Sequence, residues 1–216
     1  MNNKNSVDIF DEDYFENGIA TGKSCYTNYQ WLSEMTIKFA HKIIKTLNLR
    51  ESDKVLDFGC AKGFMVKALR ILDIEAYGCD ISSYAINNVD PQVKPFCKLM
   101  LSNKIPFDIH FDWTISKDVF EHLNEDQLSE ILDEIYKVSD KLFVIVPLGE
   151  NDKYVIPSYA LDKTHILAKN MNWWENKFEE HKWHIDTFSY LVPGMKDNWK
   201  EFKKGNGFFM LIKNEK

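Results

Sequence analysis

The stretch Val55–Phe64, VLDFGCAKGF, constrains this chain more than any other. A short apolar run ends in an acid, turns through glycines and enters a segment, 63–72, with Phe64, Ala68, Leu69 and Leu72 near one helical face. A glycine turn from a buried strand into a helix is the ligand-holding corner of parallel α/β sheets, where ligands sit outside the carboxyl ends of the strands. The spacing Asp57-x-Gly59-x-x-x-Gly63 argues against a dinucleotide. That fingerprint needs a glycine where Ala61 stands, to let backbone approach pyrophosphate, and another where Phe64 stands. A carboxylate just before the turn repels phosphate and suits a cationic ligand. Asp80 ends the next strand, 23 residues after Asp57, where an acid can accept hydrogen bonds from both ribose hydroxyls.

The remaining pattern alternates strands with helices. A helix is predicted over 29–47 from Leu32, Met35, Phe39, Ile43 and Leu47. DKVLDFG and IEAYGCD read as strands, and SSYAINNV opens a short helix with a serine cap. A third strand is placed near 93–100, and FDWTIS is a fourth. NEDQLSEILDEIYKV is amphipathic, with acids in its first turn where the helix dipole favours them. KLFVIVPLG is a continuous apolar run, as in a central parallel strand covered on both faces. A long connection, 147–170, leads to a helix around NWWENKFEEH. Two late strands, 183–192 and 207–213, are joined by a polar loop with Pro193 and Gly194, which adds an antiparallel pair. The expectation is a single α/β domain over 1–216 with a doubly wound Rossmann-like sheet. It divides into an N-terminal cap and helix (1–48), a cofactor core (49–146) and a substrate-side part (147–216).

The 216 residues are 44% hydrophobic, enough for a full core, and the net charge of −6 argues against nonspecific nucleic-acid binding. No apolar run reaches membrane-span length, and the N-terminus lacks a signal-peptide apolar region, so a cytoplasmic location is expected. Cys25, Cys60, Cys79 and Cys97 form no CxxC pair and no zinc spacing with histidine; they read as reduced thiols, and no metal is expected. GIATGKS, 18–24, ends like a phosphate loop, but only three residues separate Gly18 from Gly22, and an acidic segment precedes it instead of a buried strand.

VLDFGCAKGFMVKAL followed by EAYGCDISSYAI resembles class I S-adenosylmethionine-dependent methyltransferases. The likeness is strongest to small-molecule enzymes often associated with surface-polysaccharide biosynthesis. FDWTISKDVFEHL is similar to that family's fourth strand and loop, and LDKTHI with NWWENKF to its Asp-Pro-Thr-His segment and next helix. The resemblance spans roughly residues 50–190 and implies a seven-stranded sheet with the last strand antiparallel. It also implies S-adenosyl-L-methionine as cofactor. By position, Gly59, Cys60, Ala61 and Gly63 line its methionine part, with Asp57 near the amino group. Asp80 holds the ribose and Ile81 meets the adenine. The loop from Lys117 and Asp118 to Phe120 runs under the methionine. The chain lacks the acid that relatives place after the third strand, so Ser102 or Asn103 takes the adenine contact. GKSCYTNYQW resembles a lid motif that brings Tyr26 and Tyr29 over the cleft.

Methyl transfer from a sulfonium needs alignment above all, and a hydroxyl acceptor adds the need for a base, which favours histidine. His165 in DKTH is the expected base or anchor; His122 reads as a loop-holding residue. Lys117 is either solvated or aimed at an anionic acceptor, and Lys163 stands where the family has proline. Trp173, Trp174, Trp183 and Trp199 are explained by packing more simply than by a cation cage. The expected partner is a small-molecule acceptor, an oxygen of a sugar, phosphorylated sugar or phosphate-type group. A quinone-type ring, an amine, a protein acceptor and a noncatalytic cofactor-binding role remain open, as does the oligomeric state.

Overall fold

The computed structural model describes residues 9–214; residues 1–8 of the expected cap lie outside it. Seven strands form one sheet: β1 (Lys54–Phe58), β2 (Glu75–Asp80), β3 (Cys97–Leu99), β4 (Phe111–Lys117), β5 (Ser139–Pro147), β6 (Trp183–Ser189) and β7 (Asn206–Lys213). Their order is β3-β2-β1-β4-β5-β7-β6. β1 to β5 are mutually parallel, and β7 runs antiparallel to both β5 and β6. The strand order reverses between β1 and β4, and such a switch point opens a crevice at the carboxyl ends of the strands.

Two cores sandwich the sheet. On one face α3 (Ser33–Leu47) and α4 (Phe64–Ile71) bury Ala40, Ile43, Val66 and Leu69. On the other, α6 (Glu125–Val138) and α7 (Met171–Glu180) bury Leu128, Ile131, Leu132, Trp174 and Phe178. Covered on both sides, Phe143, Val144, Ile145 and Val146 of β5 are all fully buried, as a central strand requires. Asn124 starts α6 with a capping box, its side chain accepting from the Gln127 N–H while Gln127 bonds back. The short helix α5 (Ser83–Asn87) is capped by Ser82. Among the described residues no helix is long and apolar enough to cross a membrane.

Three elements differ from the sequence reading. α3 starts at Ser33, four residues late, and its first-turn Met35 is 64% exposed because it faces the cleft and not the core. β3 keeps three residues, because Pro95 closes a 3-10 turn just before it. The connection 147–170 holds a hairpin, Gly149–Glu150 with Lys153–Tyr154, and a 3-10 turn at Pro157–Leu161. GIATGKS is no phosphate loop. Gly18–Thr21 forms one helical turn, Gly22 ends it at φ 68°, and Lys23 turns out to pair with Asp11 and Asp13.

Candidate active site

The cleft opens where the sheet order reverses and has a volume of about 980 Å³, at the upper end for small-ligand pockets. Gly59 begins its floor at φ 82°, and a Cβ there would stand 2.4 Å from Val119 Cγ2, so only glycine lets the first turn pass under the β4 loop. Asp57, Gly59, Cys60 and Ala61 all line the wall. Asp57 is buried, and its carboxyl is pushed up to about 7 by that burial; Lys117 pulls it down and Asp80 pushes it up. Asp80 and Ile81 line the wall at the end of β2. The Asp80 carboxylate is aimed by two backbone donors, Ala61 N–H and Ser82 N–H, each at 2.8 Å. Burial raises its pKa, and those bonds oppose the rise.

Ser102 and Asn103 line the far end beyond β3. Asn103 Nδ2 donates to Glu130 Oε2 at 2.5 Å, which brings a carboxylate from α6 to the end where the sequence lacks one. Glu130 was not singled out in the sequence, because an acid on the polar face of an amphipathic helix carries no signal of its own.

The same wall holds two lysines. Lys117 ends β4 and Asp118 follows it at φ 54°. Lys117 Nζ donates to Asp118 Oδ2 at 2.6 Å, and Lys196 Nζ donates to Oδ1. Lys196, from the loop between β6 and β7, also donates to Tyr159 Oη at 2.9 Å and Asn206 Oδ1 at 3.1 Å. Burial pushes the Asp118 carboxyl up, but Lys117 and Lys196 together hold it well below the usual carboxylate range. Burial pulls Lys196 down more than Asp118 lifts it, whereas for Lys117 burial is outweighed by Asp118, Tyr29 and Glu121 together, and its pKa rises. Lys196 is the main residue missing from the sequence reading; it sits far along the chain in a polar loop, and only the fold brings it to Asp118.

Residues 56–141 match the family profile described as a methyltransferase domain. Over those residues the chain is similar to a methyltransferase domain. That similarity implies S-adenosylmethionine as the cofactor. Solved structures support the fold. An S-adenosylmethionine-dependent methyltransferase from Clostridium acetobutylicum aligns with TM-score 0.62 at 10% identity, over 83% of this chain and 91% of that one. One from Aquifex aeolicus aligns with TM-score 0.58 at 21% identity, over 83% and 93%. The mitomycin 7-O-methyltransferase aligns with TM-score 0.61 at 11% identity, over 83% of this chain, which spans only 54% of that longer protein. No curated protein matches the chain.

The cleft is closed from above by residues 10–31. α1 (Glu12–Glu16) and α2 (Gly18–Thr21) bring Tyr14, Tyr26 and Tyr29 onto the cleft. The cap is tied down at several points. Lys62 pairs with Glu16 and donates to the Tyr29 carbonyl at 2.9 Å, Ser82 Oγ donates to the Phe10 carbonyl at 2.5 Å, and Tyr14 Oη donates to Asp162 Oδ2 at 3.2 Å. The Lys163 N–H donates to the Lys23 carbonyl at 3.2 Å, which joins the cap to the DKTH loop. Lys23 itself lies outside the cleft wall.

Two expected site residues are placed elsewhere. Gly63 does not line the cleft; it precedes α4 at φ 74° and faces Cys97, Val89 and Val93. His165 does not line the cleft either. It packs edge-on behind His122, ring centroids 4.6 Å apart, and His122 is the imidazole in the wall. His165, expected as base or anchor, thus stands behind the wall, and His122 is the imidazole that lines it. Burial, with His165 beside it, lowers the His122 pKa to about 4, and burial lowers that of His165.

Proposed function

We propose that this methyltransferase acts on an oxygen of a small acceptor, a sugar, phosphorylated sugar or related phosphate-type group of the kind found in surface-glycan precursors. The observation that carries the reading is the charge layout of one cleft. Acids Asp57 and Asp80 line it, and two lysines of the same wall, Lys117 and Lys196, converge on a single carboxylate, Asp118.

The residues present fit the cofactor. Asp57 is a buried acid whose ionised form needs a cation, and an ammonium group supplies one. Asp80, already aimed into the wall, is left to accept ribose hydroxyls, with Ile81 beside the adenine. Ser102 or Asn103, backed by Glu130, takes the adenine edge. Cys60 and Ala61 shape the floor under the methionine part, and Tyr29 covers it. When bound, S-adenosylmethionine supplies a methyl group on a sulfonium: the acceptor oxygen forms the new C–O bond as the C–S bond breaks and its electron pair stays on sulfur. Lys117 and Lys196 hold the acceptor's negative charge and align its oxygen. Tyr14, Tyr26 and the loop at Asp162 exclude water from above. An already ionised oxygen needs no base, and a hydroxyl would lose its proton on the His122 side.

Calorimetric titration with S-adenosylmethionine tests the binding half of this reading; no heat and no thermal shift would remove it. Transfer of labelled methyl across sugars, sugar phosphates, phenols and amines tests the rest. The reading expects product on oxygen, with the best acceptors anionic. Product only on nitrogen or on an aromatic ring would favour the alternative acceptors.

A further inference from the structure

Glu121 and His122 sit in a 3-10 turn, Phe120–His122, just after β4. The DKTH loop is stapled to that turn: the Ile166 and Leu167 N–H groups donate to the Glu121 carbonyl at 2.8 and 3.1 Å. This staple presses His165 against Glu121 and His122. The Glu121 side chain is 0% exposed, and among the described residues neither of its carboxylate oxygens has a hydrogen-bond partner. The neighbouring acids are satisfied. Asp118 takes Lys117 and Lys196, and Asp162 takes Tyr14 and Thr164. A fully buried carboxylate left without a donor calls for a cation.

The two imidazoles present lone pairs to it. Thr164 Oγ1 has one proton and gives it to Asp162 Oδ1 at 2.6 Å. It must therefore accept from His122 Nδ1, 2.7 Å away, which leaves His122 Nε2 with a free lone pair. An imidazole fixed this way by a hydrogen bond on its other nitrogen is how metal-ligating histidines are held. His165 is 9% exposed; its Nδ1 has no partner, and its Nε2 is 3.9 Å from Glu121 Oε1, beyond hydrogen-bond reach. One ligand atom from each of the three residues lies within 4.8 Å of the others. Donors on a tetrahedral ion at about 2.1 Å stand roughly 3.4 Å apart, so small side-chain rotations close the set.

We propose that Glu121, His122 and His165 bind a divalent first-row transition-metal ion at the acceptor end of the cleft. Two imidazole nitrogens and one carboxylate oxygen suit such an ion and leave further positions open. His122 is in the cleft wall, so those positions face the acceptor. The ion would withdraw electron density from an acceptor hydroxyl and ease loss of its proton to water. This consequence rests on the methyltransferase reading; the metal site does not. Sequence spacing gave no sign of it, because the third ligand lies far along the chain and only the loop staple brings it in.

The test is titration of the chelator-treated full chain with Co²⁺, read by calorimetry and by visible absorption. One ion per chain at micromolar affinity is expected, with absorption bands of a nitrogen- and oxygen-ligated ion. His122→Ala and His165→Ala should each weaken binding at least about 100-fold. His165→Ala should still bind S-adenosylmethionine, since the residue is outside the cleft wall. Absence of Co²⁺ binding up to millimolar concentration overturns the proposal, as does undiminished binding in both variants. Should either variant fail to fold, anomalous diffraction of the Co²⁺-soaked wild type decides: an ion absent from these three side chains overturns the site. Loss of S-adenosylmethionine binding in the wild type would instead strike the functional reading and leave the metal site standing.

Discussion

Asp57 carries its charge at a cost. Its carboxyl is raised from 3.8 to about 7, so between those values the folded chain binds a proton that the unfolded chain has released. Stability therefore falls as pH rises from about 4 to 7, and the full penalty applies above 7. The shift corresponds to at most about 4 kcal/mol, since each unit is worth about 1.4. Asp57→Asn is expected to raise the melting temperature at pH 8 and to change it little at pH 5, because wild-type Asp57 is already neutral there. Equal shifts at both pH values in thermal melts would contradict this account. The same variant should lose most of its S-adenosylmethionine affinity, and wild-type affinity should fall as pH drops below 7, both read by calorimetry. Asp57, Asp80 and the glycine turn were legible in the sequence because the spacing itself carries their chemistry. Lys196 and Glu130 were not, because each becomes a cleft residue only through a partner distant in sequence, Asp118 or Asn103.

At the scale of elements, periodicity and caps predicted what local forces decide. The α6 cap is an example: Asn124 satisfies the Gln127 N–H at 2.9 Å, and Asn124→Ala should cost about 1 kcal/mol in urea unfolding. Tertiary structure overrode the pattern where an apolar residue faces a ligand cavity. The helical stripe of Met35 and Phe39 continues past the core into the cleft wall, so its period located the helix but not the surface it serves. The loop between β6 and β7 read as polar and featureless, yet it delivers Lys196. Removing that ammonium leaves Asp118 with Lys117 alone. Lys196→Met should lower stability by roughly 1–3 kcal/mol, the usual range for losing a charged hydrogen bond. It should also raise KM for an anionic acceptor more than for a neutral one. An equal effect on both acceptor types in steady-state kinetics would remove Lys196 from acceptor recognition.

For the molecule as a whole, the cap is expected to open as a unit separate from the sheet. Tyr14, Phe15 and Ala85 make a small cluster of their own, apart from the two cores that flank the sheet. The cap reaches the rest through Lys62, Ser82 and Asp162, and it encloses the space above the cleft. Such a satellite opens locally at a free energy well below global unfolding. A ligand held under it binds only the closed form, so at 100 times its dissociation constant it should stabilise closure by about 2.7 kcal/mol, which corresponds to roughly 100-fold slower exchange. Hydrogen exchange should therefore slow in residues 10–31 on adding S-adenosylmethionine, more than in β4 or β5, whose amides already exchange only through larger openings. Tyr29→Ala should remove most of that protection, because its ring lies in the cleft wall. Lys23→Ala should leave it intact: the lysine forms ion pairs at the surface with Asp11 and Asp13, and exposed pairs are worth at most about 1 kcal/mol. Uniform slowing across cap and sheet in the wild type would mean that the cap does not open independently. Loss of protection in Lys23→Ala would mean that the glycine-lysine-serine stretch holds the ligand after all.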